Sequence, residues 1–390
     1  MTIFISFCDP RKHELYNNEA RKTLKKTWAL FGIYVLLLTL SMLPLQAGCL
    51  SFGYTETFSA APFRYDLPSG ANFSIIWITD TQYLSESHPT YYDSLCRWIV
   101  NHAEQYKVKM VIHTGDMVED EFNCTHWENA NQSMSILLDA DIPYCWNAGN
   151  HDYNETCWIG NQYTAFNPEV METKPYWIDN AVDGQNTAVH FSVDDWDFLI
   201  VNIAYDAGDD VLDWANNLLD TYNESCAIVG AHVYLNTTGG YSSKGKDDAN
   251  WPLNFKENVL DTHPNVFLTL SGHQYPTSGV RTQVGGRHEL MYNRQDTDNQ
   301  MGAASLRIMA FDLVAGTIDV QTYYLYSNHF LEDPDNQFTL TTTFYNDYIP
   351  EDNSSNDNTT LTLPAHLIIL ALVAVIAAVC VIVYWVWRRR

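Results

Sequence analysis

Positive charge is scarce in this chain. Of its 390 residues, 21 are lysine or arginine and 47 are aspartate or glutamate, so the formal net charge is −26 at pH 7. Such an acidic surface repels nucleic acids and anionic membrane surfaces, and we therefore expect no nucleic-acid partner. The same excess of acidic residues is also compatible with adaptation to a salty environment.

Three common sequence signatures are missing as well. None of the eight cysteines has the spacing of a zinc finger, no glycine-rich loop is placed to hold a phosphate, and no internal repeat is present. Outside the cytosol one or two disulfides are plausible, and a bridge among Cys124, Cys145 and Cys157 would brace that part of the chain.

Five apolar runs, each predicted to form a buried strand, end in polar residues. The motifs that follow these runs are Asp80-Thr81-Gln82, Gly115-Asp116, Gly149-Asn150-His151-Asp152, Ala231-His232 and Gly272-His273-Gln274. Polar side chains at the carboxyl ends of buried strands point into the crevice where α/β proteins bind ligands. Asp and Asn oxygens and neutral His nitrogens suit divalent ions such as manganese, iron or zinc. The five motifs therefore predict one metal site at the edge of a sheet.

The order of these motifs resembles that of the calcineurin-like metallophosphoesterase superfamily over roughly residues 70 to 330. The family pattern is Asp-x-His, Gly-Asp, Gly-Asn-His-Asp/Glu, a single His, and Gly-His-x-His. The resemblance implies an α/β fold in which two β-sheets form a sandwich flanked by helices. In the same region, apolar runs on both sides of Ala315-Gly316 predict a β-hairpin.

By this resemblance the site would hold two divalent metal ions of manganese, iron or zinc. Six residues would bind them: Asp116 as the bridge, Asn150, His232 and His273 at one ion, and Asp80 and Gln82 at the other. His151 would be catalytic, because it would stabilise the phosphoryl oxygen or protonate the leaving group. Asp152 would orient His151.

Two residues depart from the family pattern. Gln82 replaces the first histidine, which gives an Asp-x-Gln variant, and Tyr275 replaces the last. Both positions belong to the same metal in the family. A glutamine carbonyl is a weaker donor than imidazole for these metals, and Tyr275 would either bind iron as a phenolate or point away. We therefore expect one weaker, more oxygen-rich metal position.

The predicted activity is metal-dependent hydrolysis of a phosphate ester, in which a hydroxide that bridges the two ions attacks phosphorus. The alternative is a binding ectodomain that kept the fold and lost turnover through Gln82 and Tyr275. The retained His151 speaks against that alternative, because a site without catalysis has no chemical need for it. A nuclease is disfavoured by the negative charge.

Two stretches of the sequence are apolar and free of charge over a length that suits a membrane. Basic residues precede the first and follow the second, which places both flanks in the cytosol and the protein between them outside. The chain is predicted to divide into a cytoplasmic basic leader (1–27), a transmembrane signal anchor or cleaved signal peptide (28–46), a metallophosphoesterase domain (66–345), an acidic stalk (346–363), a transmembrane helix (364–387) and a cytoplasmic tail (388–390).

The segment between the two stretches has features of an extracytoplasmic domain. Residues 50–363 contain 12 lysines and arginines against 44 aspartates and glutamates. Eight Asn-x-Ser/Thr sequons also lie in this interval, and we expect glycosylation at some of them. The sequence therefore predicts a membrane-anchored protein whose catalytic domain faces outward.

Overall fold

The computed structural model describes residues 66–153, 158–243, 250–276 and 279–344. In these ranges the strands are β1 (Phe73–Ile78), β2 (Val108–His113), β3 (Tyr144–Trp146), β4 (Trp177–Ala181), β5 (Asn186–Val193), β6 (Trp196–Ile203), β7 (Cys226–Ala231), β8 (Val266–Ser271), β9 (Val280–Val284), β10 (Arg287–Met291), β11 (Ser305–Asp312), β12 (Thr317–Tyr324), β13 (His329–Leu331) and β14 (Gln337–Thr341).

The helices alternate with the strands in the first part of the fold. They are α1 (Gln82–Ser87), α2 (Pro89–His102), α3 (Cys124–Asp139), α4 (Pro168–Met171), α5 (Asp209–Thr221) and α6 (Trp251–Phe255), and α6 continues as a π-helical turn (Lys256–Leu260). Single 3-10 turns lie at Gly160–Gln162, Thr164–Phe166 and Met301–Ala303.

The strands form two sheets. The first has the order β13-β12-β11-β1-β2-β3, with β14 also paired to β12, and the second has the order β4-β5-β6-β7-β8-β10-β9. Strands β1, β2 and β3 are parallel to one another, as are β6, β7, β8 and β10. The predicted hairpin is confirmed, because β11 and β12 pair antiparallel.

Aromatic side chains join the two sheets face to face. The ring of Phe73 on β1 lies 5.0 Å from that of Phe198 on β6 and 6.0 Å from that of Phe191 on β5, measured between centroids. Burying each such ring contributes about 1.5–3 kcal/mol relative to exposing it. The expected sandwich of two sheets is therefore confirmed.

Helices cover the outer faces of the sandwich, as expected. Helix α5 starts with Asp209 and Asp210, which favour the positive end of a helix, and it buries Val211, Ala215 and Leu219 against the second sheet. Helix α2 covers the first sheet, where the rings of Trp98 and Tyr323 stack at 4.6 Å.

The parallel strands end side by side at one edge of each sheet. Ile78 of β1 pairs with His113 of β2, which pairs with Trp146 of β3. In the second sheet Ala231 of β7 pairs with Ser271 of β8. All five predicted motifs therefore leave the sandwich from carboxyl strand ends, where side chains from different strands meet.

The sequence predicts a membrane segment on each side of this domain. In the described ranges no helix has the length and apolar character needed to cross a membrane. The two predicted membrane segments, residues 28–46 and 364–387, lie outside those ranges, as do the leader, the stalk and the tail.

The bridge considered among three cysteines is not formed by Cys124 and Cys145. Both are free thiols in the structure, Cys124 at the surface and Cys145 in the core, while Cys157 lies outside the described residues. Burial raises the pKa of the Cys145 thiol to about 12, which keeps it protonated and unreactive.

Candidate metal centre

Four of the six predicted ligands surround one point at the edge of the sandwich. Ligand atoms of Asp116, His232 and His273 all lie within 4.8 Å of one another. The Nε2 atom of His232 is 3.4 Å from Asp116 Oδ1, 3.3 Å from His273 Nδ1 and 3.1 Å from Asn150 Oδ1. Chain segments far apart in sequence thus bring nitrogen and oxygen donors together.

The backbone fixes the orientation of the His232 ring. His232 Nδ1 donates a hydrogen bond to the carbonyl oxygen of Thr114 at 2.8 Å. The other ring nitrogen, Nε2, therefore faces the other donors, which is the arrangement found around metal-binding histidines. Sequence reasoning missed this contact, because any residue at position 114 offers a carbonyl.

Asp80 and Gln82 are joined to this group by hydrogen bonds. Asp80 is fully buried, and its carboxylate accepts a hydrogen bond from the backbone amide of His273 at 3.1 Å. Gln82 Nε2 donates to Asp116 Oδ2 at 3.2 Å, whereas its buried Oε1 atom has no hydrogen-bond partner in the described structure. The six predicted ligands therefore form one group, in which Asn150 and His273 are partly exposed and the other four are buried.

The electrostatics of this group favour a bound cation. Burial, with the nearby Asp116, raises the pKa of Asp80 to about 7. Burial alone would lower the pKa of His232, but Asp116 and Asp80 outweigh it and raise that pKa to about 9. Two carboxylates held out of water need a compensating positive charge. The Gln82 Oε1 atom, which has no hydrogen-bond partner among the described residues, is a further oxygen available to bind a metal ion. These residues fit divalent metal ions.

Three of the predicted ligands have a backbone conformation that residues other than glycine rarely adopt. The φ angles are 51° at Asp80, 55° at Asp116 and 64° at His273. Each such residue costs of the order of 1–3 kcal/mol, and this strain is characteristic of functional sites. The turn that follows each strand is therefore held in place by the rest of the fold.

The glycines of the motifs leave room for the ligands. A Cβ atom on Gly149 would lie 2.1 Å from Asp116 Oδ1, and one on Gly272 would lie 2.3 Å from Asp80 Oδ2. A Cβ atom on Gly115 would lie 2.6 Å from His232 Nδ1. Each glycine is thus required because a ligand from a different strand packs against its backbone.

His151 lies next to this group, with its ring partly exposed. Its backbone amide donates to Asp116 Oδ1 at 3.0 Å, and its Nδ1 atom donates to the carbonyl oxygen of Glu119 at 2.9 Å. Burial alone would lower the pKa of His151, but Asp116 and Glu119 outweigh it, so the pKa is raised. The Nε2 atom is left for a ligand.

Asp152 does not orient the His151 ring, contrary to our expectation. Its carboxylate accepts hydrogen bonds from the backbone amides of Met117 at 2.7 Å, Val118 at 3.0 Å and Gly149 at 2.7 Å. These bonds tie two motif loops together. The contact that orients the His151 ring comes from Glu119, which sequence reasoning missed because the accepting atom belongs to the backbone.

Three further side chains complete the surroundings. His113 is buried, and its Nδ1 atom accepts from the amide of Gly115 at 3.2 Å, so it supports the site from the core. The ring of Tyr205, which the sequence did not single out, lies 5.5 Å from that of His273. Tyr275 is 52% exposed and lines a cavity beside the site.

Two solved structures of low sequence identity are similar to this chain. A purple acid phosphatase from yellow lupin (Lupinus luteus) seeds is 13% identical, with a TM-score of 0.44, over 77% of this chain and 58% of its own. The protein TT1561 of Thermus thermophilus is 12% identical, with a TM-score of 0.39, over 66% of this chain and 97% of its own.

Sequence comparisons identify the family. An uncharacterised protein of Bacillus subtilis (strain 168), YvnB, is 28% identical in an alignment of 271 residues that covers 66% of this chain and 20% of that protein. The chain thus spans about a fifth of the length of this curated relative. The profile of the calcineurin-like phosphoesterases matches residues 73–279, more than half of the chain. The protein therefore belongs to the calcineurin-like phosphoesterase family.

Proposed function

We propose that this protein hydrolyses phosphate esters with two divalent metal ions. The observation that carries the proposal is the buried group of nitrogen and oxygen donors around His232 Nε2, with His151 at its exposed side. Asp116 would bridge the ions, Asn150 would join the two histidines at one of them, and Asp80 and Gln82 would hold the other.

Bound ions in such a site supply positive charge that stabilises phosphoryl oxygens and makes water a better nucleophile. The chain itself provides the remaining functions. The glycines keep the ligand loops close together, and Asp152 holds the two loops that carry Asp116 and His151. His151 directs Nε2 to the substrate and would stabilise the oxygen of the leaving group or donate a proton to it.

The test combines metal analysis with turnover. Purified protein should contain tightly bound metal and should hydrolyse p-nitrophenyl phosphate or bis(p-nitrophenyl) phosphate when manganese is added. Removal of metal by a chelator should abolish this activity, and manganese should restore it. A protein that retains its metal but turns over neither ester would instead support the binding ectodomain.

We also propose that the domain is anchored in a membrane and acts outside the cytosol. The support comes from the sequence: two uncharged apolar segments, basic residues at their cytoplasmic flanks, and sequons between them. Protease added to intact cells should remove the domain and spare a tag after residue 390. A domain that stays intact under these conditions would contradict this topology.

A further inference from the structure

A cavity of about 640 Å³ opens beside the candidate metal centre. Two loops that carry predicted ligands contribute to its lining: Thr237 and Thr238 follow the His232 strand, and Tyr275 follows His273. The opposite side includes Gly279, Arg281 and Asp335. The cavity and the candidate metal centre therefore share two loops.

Arg281 is the charged donor at the surface of the cavity. Its Nη1 atom donates to the carbonyl oxygen of Pro334 at 2.7 Å, and its guanidinium lies 4.3 Å from the centre of the Phe338 ring. These contacts hold the side chain and leave most of its five N–H donors available. Asp335 contributes a carboxylate to the same cavity.

A second guanidinium lies directly behind the cavity wall. Arg307 is completely buried, and a Cβ atom on Gly279 would lie 1.9 Å from its Nη2 atom. Nη2 donates to the carbonyl oxygen of Asp335 at 2.7 Å, Nε donates to Thr322, and Nη1 has no hydrogen-bond partner among the described residues.

The lack of a side chain on Gly279 brings this buried charge close to the cavity. Arg307 also lies 4.3 Å from the centre of the Tyr292 ring, a cation–π contact that covers one face of the guanidinium but does not neutralise it. Burial lowers the pKa of Arg307 to about 10, Arg281 adds to this lowering, and Asp333 and Asp335 oppose it, so the buried charge remains costly. An anion in the cavity would lower that cost.

We propose that this cavity binds a second phosphate group of the substrate, carried by the part of the molecule that is not attacked. The hydroxyl groups of Thr237 and Tyr275 beside a guanidinium are suitable donors for phosphate oxygens. Two neighbouring positive charges, those of Arg281 and Arg307, are also unusual in a protein with 21 lysines and arginines and 47 aspartates and glutamates. This inference rests on the proposed function, because it names the class of ester that the metal centre receives.

The first test compares three esters that differ only at the far end: propyl phosphate, the phosphate ester of 3-hydroxypropanoate, and propane-1,3-diyl bisphosphate. The full-length protein should have a KM for the bisphosphate at least about tenfold below that for propyl phosphate, the scale of one charge-assisted hydrogen bond. Equal KM values for these two esters, or a lower KM for the carboxylate, would overturn the proposal.

Two variants separate the cavity from charge in general. Arg281→Gln should remove most of the preference for the bisphosphate, and Arg281→Lys should retain part of it. Arg97→Gln, an exposed arginine on α2, is the matched control and should leave the preference unchanged. If Arg281→Gln keeps the full preference, the cavity is not the second phosphate site.

A binding measurement makes this test independent of catalysis. Calorimetric titration of metal-free protein with propane-1,3-diyl bisphosphate should show binding that Arg281→Gln weakens at least about tenfold. If this binding is present but no ester is hydrolysed, the proposed function fails and the phosphate cavity stands. If esters are hydrolysed but the binding does not depend on Arg281, the cavity proposal fails alone.

Discussion

The His151 ring is held by the backbone of Glu119, not by its neighbour Asp152. The Nδ1 atom of His151 donates to the Glu119 carbonyl oxygen at 2.9 Å, while both Asp152 oxygens are engaged by backbone amides. Two adjacent residues of one motif therefore have separate tasks. His151 faces the site, and Asp152 holds the loops that form it, so their replacement should have different consequences.

Replacement of His151 should affect the rate and spare the metal. His151→Gln should lower kcat by roughly 100-fold or more, the usual contribution of a general acid. Metal content should hardly change, because the contact of residue 151 with Asp116 is made by its backbone amide. Steady-state kinetics and elemental analysis of the same preparation would check both. Loss of metal together with activity would show that His151 is itself a ligand.

Replacement of Asp152 should affect stability. Asp152→Ala leaves three buried backbone amides without an acceptor, and each unsatisfied donor costs about 1–3 kcal/mol. We expect a loss of at least about 3 kcal/mol in the free energy of unfolding, measured with urea. Asp120→Ala is the control, because Asp120 accepts one amide hydrogen bond at the surface, from Phe122. Equal losses in the two variants would contradict this role.

A methyl group at Gly149 should disturb the metal centre. The new Cβ atom would lie 2.1 Å from Asp116 Oδ1, so either the carboxylate or the loop must move. Gly149→Ala should therefore reduce metal content and activity together. Gly208→Ala is the control, because the only close neighbour of its Cβ atom is the exposed side chain of Asp210 at 2.9 Å. If Gly149→Ala retains its metal, Asp116 is not constrained by this contact.

The sequence predicted the strands of the site well, because their physical signal is local. An apolar run that ends in Asp80 or His232 indicates a buried strand whose last residue reaches the crevice, and the structure has this arrangement. The β-hairpin around Gly316 followed from the same kind of pattern.

The contacts that sequence reasoning missed depend on the tertiary fold. The carbonyl oxygens of Thr114 and Glu119 fix two histidine rings, and a backbone atom leaves no trace in the residue type. Arg307 lies in β11, which is buried along nearly its whole length, and its guanidinium occupies the space beside Gly279 against the Tyr292 ring. Such partners are distant in sequence and come together only when the sheets pack.

The last prediction concerns the metal position that Gln82 serves. Gln82 offers an amide oxygen where the family has an imidazole, and its Nε2 atom is 3.2 Å from Asp116 Oδ2. Tyr275, the other residue that differs from the family pattern, is half exposed and lines the neighbouring cavity. In the proposed two-metal site one ion would therefore lack two nitrogen donors, and oxygen donors favour manganese over zinc.

The protein should accordingly keep one ion and lose the other on dialysis, and added manganese should restore activity better than zinc. Gln82→His should tighten the weaker position because imidazole is the stronger donor, whereas Gln82→Ala should weaken it and lower activity. Gln283→His, at an exposed site on β9, controls for a histidine that binds metal nonspecifically. Calorimetric titration of the dialysed variants measures both positions. Two equally tight zinc ions that Gln82→Ala does not disturb would show that Gln82 has no part in binding, because a ligand cannot be removed without loss of affinity.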